Sequence, residues 1–372
     1  MIKRIANSDK GLMIVSLILL LSGLIMVLSS SGIIVEQSAF KYFFKQVMWA
    51  IISFVLFAVF LSLDYKHLRK WPLRLLIICF VLLIAVFLFG KSINGAKRWL
   101  NLGVLNFQPS EMVKLSLILA LADYLDKNKS KLMQISGLAP CIGIIILFCA
   151  LIAAQPDLGV PAVIMAVSLI LLYIAGANKL YLSVVVAAAI AAIAAGIITM
   201  PYRMKRLLAF IDPWNDSSGA GYQLIQSLLS LGSGGIFGKG LGQGEFKRYY
   251  LPAQHTDFIF SIIGEEFGLF GGLFIIVMFT LFLYIGYKIA RNAPDLFGSL
   301  LAMGITLLIV VQAYFNIAVC CGFVPTKGIS LPFISYGGTS LMFTSISVGI
   351  LANISQQKIS NYQKMQFSRA RF

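Results

Sequence analysis

The sequence predicts an all-α, polytopic membrane protein of about ten spanning helices, and three observations carry that prediction. Apolar residues make up 59% of the chain and charged residues only 12%, about half the charged share of an average globular domain. The mean hydropathy is +0.90. The apolar residues gather into runs long enough to cross a hydrocarbon core of ~30 Å, which takes roughly 20 residues of helix. Such runs fall near 11–31, 43–63, 72–90, 110–125, 138–154, 158–176, 179–200, 260–287, 297–321 and 338–355.

Each run has a reason to start or stop where it does. The first follows Lys3, Arg4 and Lys10, is too long for a signal-peptide core and lacks a small-residue cleavage site, so it reads as a span. The fourth is short and carries Glu111 and Lys114, which makes it the weakest by hydropathy. Only Gln155-Pro156-Asp157 separates the fifth from the sixth, a tight turn at the membrane surface. A long loop, 201–257, joins the seventh to the eighth. Within it, Tyr222 to Leu231 has helical apolar spacing but is too short to span, so it lies in the interface or re-enters the membrane. With no low-complexity tract or heptad array, residues 1–372 read as one membrane domain containing this loop, with 356–372 as a tail.

The net charge of +16 does not indicate nucleic-acid binding, because Lys and Arg are scattered through the gaps between apolar runs. Their placement sets orientation instead. One set of gaps, with Lys3, Arg4, Lys10, Lys66, Arg69, Lys70, Arg74, Lys127, Lys129, Lys131, Lys179, Lys288, Arg291 and the tail, holds seventeen of the thirty basic residues. The opposite set holds twelve, so the first side and both termini are expected to be cytoplasmic. Nine of the twelve lie in loops 91–109 and 201–257. Long loops escape the positive-inside rule, but a basic outer surface beside the bilayer also suits an anionic ligand such as a lipid phosphate. The five cysteines lie in or beside apolar runs without metal-ligand spacing and read as packing residues.

Ionisable groups at membrane depth are costly and mark candidate function. Glu111 and Lys114, three apart, share a helix face and form either a structural ion pair or the wall of a polar cavity. Asp157 either caps the following helix or joins a polar site. Asp257, in His255-Thr256-Asp257-Phe258-Ile259-Phe260, stands where the long loop meets the eighth span. There a carboxylate is suited to general-base duty, with a helix-capping role for Thr256 or Asp257 as the alternative. Glu265 and Glu266 lie deeper, and at least one faces the interior. Gly232 to Gly244 is not a Walker loop, since Ser233 and Gly240 stand at required Gly and Ser/Thr positions. Its glycines predict close backbone approach and a sharp turn. Val324 to Gly328 and Leu331 to Gly338 are irregular backbone between spans, which lines a cavity or forms a broken helix.

Taken in order, Gly95-Ala96-Lys97-Arg98-Trp99, Gln108-Pro109-Ser110-Glu111 through Lys114, Gln155 to Gly159, Tyr202 to Arg206 with Asp212-Pro213-Trp214, Gly219 to Ser227, Leu251-Pro252 with His255 to Phe260, Gly264-Glu265-Glu266 and Leu331 to Gly338 resemble the SEDS (shape, elongation, division, sporulation) family of cell-wall proteins. The motifs run from the third span to the last. Arg206 through Trp214 with Pro325 to Gly328 is more similar to the FtsW/SpoVE division branch than to RodA. The resemblance implies a peptidoglycan glycosyltransferase that polymerises lipid II at the outer face of the bacterial cytoplasmic membrane. It further implies a class B penicillin-binding protein transpeptidase as partner, beside other divisome or elongasome membrane proteins. The family's acidic catalytic residue falls on Asp257, and its implicated tryptophan falls on Trp99. Lys97, Arg98, Arg203, Lys205 and Arg206 are then expected to meet the pyrophosphate, with His255, Thr256, Lys327 and Ser335 as further substrate contacts. Glu111, Lys114, Asp157, Glu265 and Glu266 are expected around the polar cavity. A divalent cation, Mg²⁺ or Mn²⁺, is the one cofactor this chemistry admits, and the sequence assigns it no ligands. One departure is visible: Ala253 follows Pro252 where many relatives carry Glu. The competing readings are a lipid II flippase or transporter, which needs a polar path to both faces, and a non-catalytic scaffold of a division complex.

Overall fold

The structure is a computed structural model that describes residues 8–31, 39–93, 96–101, 103, 106–198, 201–219, 221–246 and 255–357. Ten long helices follow the ten apolar runs: α1 (Lys10–Ser31), α2 (Ala39–Ser62), α3 (Pro72–Phe89), α4 (Pro109–Lys127), α5 (Ile135–Ala153), α6 (Gly159–Ile174), α7 (Lys179–Ile198), α10 (Ile259–Arg291), α11 (Leu296–Cys320) and α12 (Gly338–Gln356). Two shorter helices, α8 (Pro201–Ile211) and α9 (Tyr222–Ser233), lie in the long connection. Eight of the ten have the length and hydropathy of a full span. The exceptions are α4, which carries the charges noted above, and α6, which has 16 residues. The chain is a multi-pass membrane protein.

Local chemistry sets several helix starts. Pro72 and Pro109 open α3 and α4, where their missing N–H would have had no partner in any case. Asp295 caps α11 by accepting from the Gly298 amide at 2.6 Å, and it also accepts from Tyr65 Oη at 2.7 Å. Asp157 caps α6, its Oδ1 accepting from the amides of Gly159 and Val160 at 3.0 and 3.3 Å. The capping role expected for Thr256 or Asp257 does not arise. Phe258 is the N-cap of α10, without a side-chain cap bond.

The core is built around α11, which packs against α10, α4, α6 and α12, while α12 lies along α2. Alternating helix directions divide the connections between two ends. At one end the Asp9 amide donates to Ser355 Oγ at 3.0 Å and Gln356 Nε2 donates to Ser8 Oγ at 3.1 Å, so the described termini meet there. The opposite end carries the α3–α4, α5–α6, α7–α10 and α11–α12 connections, and we call it the site end. The predicted tail, 356–372, lies almost wholly outside the described residues, as does the Pro252–Ala253 departure.

One element was not expected from the sequence. The α3–α4 connection forms a small antiparallel sheet, β1 (Lys91–Ile93), β2 (Ala96–Asn101) and β3 (Asn106–Phe107), in the order β1-β2-β3. Lys91 pairs with Trp99 but Ser92 pairs with Lys97, which leaves Arg98 as the extra residue of a bulge. Such a bulge breaks the two-residue alternation and re-aims side chains.

The glycine-rich stretch packs directly on α10, as its composition predicted. The amides of Lys239 and Gly240 donate to the carbonyls of Glu265 and Glu266 at 3.0 and 2.9 Å. The Leu269 amide donates back to Gly235 O at 3.0 Å. This exchange interrupts α10 at Gly268, whose φ of 65° leaves the helical region. A methyl there would meet Gly238 N and Ile236 O at 2.4 Å each.

In an ordinary helix interior Gly→Ala stabilises by up to about 1 kcal/mol. Gly268→Ala is expected to do the opposite, lowering stability by about 1–3 kcal/mol from backbone strain and overpacking. Thermal unfolding of the detergent-solubilised protein reads the sign, and a stabilised variant would show that α10 is continuous.

A second prediction concerns α4, pinned by a charge pair. Lys114 Nζ lies 2.8 Å from Glu111 Oε1, both nearly buried, and donates to Gln312 Oε1 of α11 at 2.6 Å. Removing one buried partner strands the other, at about 3–5 kcal/mol, whereas replacing both is far milder. Lys114→Met should therefore lower the melting temperature more than the double change Glu111→Gln/Lys114→Met. Equal losses would mean that the pair is not coupled.

Candidate active site

A cavity of about 790 Å³ occupies the site end. Its wall brings together residues from distant parts of the chain, among them Arg98 and Trp99 of β2, Glu111 and Lys114 of α4, Arg206 of α8, Thr256 and Asp257 before α10, Gln312 of α11, and Thr326 to Ser330 of the α11–α12 connection. The bulge in β2 explains how two consecutive residues, Arg98 and Trp99, both reach it.

Arg98 is held against the α5–α6 turn. Its Nε donates to Gln155 O at 3.4 Å, Nη2 donates to Pro156 O, and Nη1 lies 3.7 Å from Asp157 Oδ2. The capping reading of Asp157 applies, with one oxygen on the α6 amides and the other facing the guanidinium, while the residue itself stands behind Arg98 and does not line the cavity. Burial holds its carboxyl above the usual range, against the pull of Arg98 and the two cap amides.

Asp257 stands in the turn before α10, half-buried in the cavity wall. Its carbonyl accepts from Asn316 Nδ2 at 2.7 Å, which leaves the carboxylate as the part presented to the cavity. A methyl placed on Gly328 would sit 3.1 Å from Asp257 Oδ2 and 3.7 Å from Arg98 Nη1, so carboxylate and guanidinium flank the same glycine. Burial pushes the Asp257 carboxyl up to about 6, Arg98 opposes this, and the nearby Asp157 adds to it. A carboxylate poised there is ionised at neutral pH yet basic enough to take a proton.

The remaining expected residues divide. Lys327 lines the cavity. Lys97 and Lys205 are exposed and lie outside the lining, and the side chain of Arg203 lies outside the described residues. His255 turns away to an aromatic cluster, its ring 5.0 Å from that of Tyr42 and 5.7 Å from that of Tyr336, where burial lowers its pKa. Ser335 is committed internally: its Oγ donates to Thr256 O at 2.5 Å and accepts from the Leu331 amide at 2.7 Å.

Glu265 and Glu266, expected at the polar cavity, lie outside it. Glu265 Oε1 accepts from the amides of Glu245 and Phe246 at 2.6 and 3.3 Å and sits 3.4 Å from Lys239 Nζ. Glu266 accepts from Ser29 Oγ of α1 at 2.7 Å. Both anchor the glycine-rich stretch and its neighbours. Conversely, Gln312 and Asn316 carry no charge and so do not stand out among the ionisable groups of the sequence. Their signal was available as two carboxamides four apart in an otherwise apolar run. Among the described residues no three His, Cys, Asp or Glu side chains gather as a metal site would require.

Comparisons with known proteins give the family of the chain. Residues 10–360 match the FtsW/RodA/SpoVE family, described as cell cycle protein. A relative named probable peptidoglycan glycosyltransferase FtsW, from Geobacter sp. (strain M18), is 41% identical over 95% of this chain and 98% of its own length. Stage V sporulation protein E of Bacillus subtilis (strain 168) is 38% identical over 94% of this chain and 97% of its own. Among solved structures, a chain from work on a peptidoglycan synthase complex that coordinates polymerization and crosslinking superposes with a TM-score of 0.80 at 26% identity, over 95% of this chain and 99% of that one. The rod shape determining protein RodA of Thermus thermophilus shares the fold, with a TM-score of 0.71 at 24% identity over 95% and 98% of the two chains. This chain therefore belongs to the FtsW/RodA/SpoVE family of cell cycle proteins, the SEDS family that its ordered motifs resemble.

Proposed function

We propose that this protein is a peptidoglycan glycosyltransferase that polymerises lipid II, with Asp257 as general base. The observation that carries this reading is one carboxylate, raised to about 6, in a large cavity whose wall also holds Arg98, Arg206 and Lys327. Asp257 takes the proton from the 4-hydroxyl of the acceptor GlcNAc as that oxygen attacks the anomeric carbon of the donor MurNAc. The bond from that carbon to the pyrophosphate breaks, and undecaprenyl pyrophosphate leaves. Single displacement inverts the anomeric centre. The three cationic side chains stabilise charge developing on the leaving pyrophosphate, and Trp99 offers an aromatic face to sugar or polyprenyl. A divalent cation such as Mg²⁺ or Mn²⁺ would be held by phosphate oxygens of the substrate together with a carboxylate of the cavity wall, Asp257 or Glu111, and would neutralise charge on the leaving group.

The basic-residue distribution supports placing the site end outside the cytoplasmic membrane and both termini in the cytoplasm. The 41% and 38% identities to proteins named FtsW and stage V sporulation protein E support a role in septal or sporulation wall synthesis. A class B penicillin-binding protein is the transpeptidase expected to join it in the membrane, by analogy with the synthase-complex chain that it superposes on.

The test is polymerisation of purified lipid II by the full-length protein, alone and with its cognate transpeptidase. Asp257→Ala should lower the rate on the order of 10²–10⁴-fold, the usual contribution of a positioned acid or base. Normal glycan chains from this variant would sink the mechanism. Only ionised Asp257 acts as base, so wild-type turnover should fall as pH drops through about 6 and level off above it. Arg98→Gln removes the group that favours the charged form, so the acid limb should move to higher pH.

A further inference from the structure

The segment bearing Lys327 and Gly328 has no helix or strand of its own, yet it must stand at a fixed distance from Asp257 for the cavity to work. Two carboxamides on one face of α11, Gln312 and Asn316, meet this requirement. Asn316 is 1% exposed, and both hydrogens of its Nδ2 are used, one on Asp257 O and one on Ile329 O, each at 2.7 Å. Gln312 Nε2 donates to the next carbonyl, Ser330 O, at 2.9 Å, while its Oε1 accepts from Lys114. Consecutive carbonyls of an irregular segment are thus pinned to one rigid helix, and the first shares its donor with the turn that carries Asp257. The orientation of the Asn316 amide is dictated, because the flipped form would set its oxygen against two carbonyl oxygens. Cys320, one turn along, adds a longer contact from Sγ to Asp257 O at 3.6 Å.

We infer that Asn316 is a positioning residue for the glycosyl-transfer site, holding the Asp257 turn and the 327–330 segment in register through one shared amide. This rests on the reading of Asp257 as general base. Without the amide, two carbonyls lose their common donor and part, and the carboxylate shifts relative to Gly328, Lys327 and Arg98. A misplacement of about 1 Å at a reacting group is enough for a loss on the order of 10²-fold. Asn316 itself does not line the cavity, so substrate binding is not expected to change.

The test uses Asn316→Leu, which keeps the branched shape and removes both donors, in the full-length protein with its cognate transpeptidase. Asn316→Ser, which keeps one donor, is the milder companion should the Leu variant fold poorly. Thr306→Val serves as control, because Thr306 is buried in the same helix but bonds only within it, to Ala302 O. The expected result is a kcat on lipid II lowered about 10- to 100-fold by Leu and less by Ser, with KM within about 3-fold. The acid limb of the kcat profile should move in both variants but not in the control. Wild-type kcat, a loss confined to KM, or a reduced kcat with an unmoved acid limb would each overturn the inference. A fully active Asp257→Ala would instead overturn the general-base reading on which it stands.

Discussion

Backbone that is neither helix nor strand cannot leave its N–H and C=O groups unpaired at membrane depth, so each irregular segment must find its partners inside the protein. Three such segments meet at the site end, and each is answered by a different helix or strand. Arg98, from the bulge of β2, takes the carbonyls of Gln155 and Pro156. The carbonyls of Glu265 and Glu266 in α10 take the amides of the glycine-rich stretch. Asn316 and Gln312 of α11, with Ser335, take the chain between α11 and α12. The cavity lies between the first and the third of these, so much of its polar lining is also the apparatus that satisfies the surrounding backbone.

That double use separates the two aspartates near Arg98. Asp157 receives two amide hydrogens at the start of α6 and faces the guanidinium. It is occupied in holding a helix end and an arginine. Asp257 is held through its backbone carbonyl instead, and its carboxyl is raised by burial and by the neighbouring acid. Two carboxylates served unequally by one cation tend to take different roles. The arrangement leaves Asp257 as the group free to exchange a proton. Arg98 thereby sets the electrostatic balance between the two acids as well as holding the α5–α6 turn.

The ten long helices were legible because each depends on a run of apolar residues that a spanning helix cannot do without. The fourth was legible even against its hydropathy: Glu111 and Lys114 pair within α4 and are taken up by α11. What failed was position around a helix axis. Glu265 and Glu266 follow Asp257 by about two turns and were expected at the same cavity, but their side chains meet the glycine-rich stretch and Ser29 instead, because a spacing in sequence does not fix which side of the helix faces the cavity. The sheet was missed because strands of three, six and two residues carry too little periodicity beside charged and glycine residues. The basic loop it forms was nonetheless marked by its excess charge, and Arg98 and Trp99 justify the attention. Of the other basic residues marked for the pyrophosphate, exposed Lys97 and Lys205 show that charge density locates a surface more readily than it selects the side chains facing inward.

The depth at which polarity ends bears on the choice between chemistry and transit. From the site end the lining descends through Asp257, Gln312 and Lys114. Below them, α4 contributes buried Leu117, Ile118, Leu121 and Leu125, α11 contributes Leu308, Ile305 and Leu301, and α6 contributes Val167 and Leu171. Two hydroxyls at this level are held by neighbours, Thr306 donating to Ala302 O and Ser116 accepting from Cys79 Sγ. Among the described residues of these helices, charge returns with Asp123 and Asp126, which Arg69 and Lys127 pair at the other end. A carrier of a pyrophosphate headgroup needs polar groups along its whole route, since an uncompensated charge in such a layer is costly. Polar groups gathered at one end above a closed apolar layer suit a reaction in which both sugars arrive from the same face and the polyprenyl tails remain in the bilayer beside it.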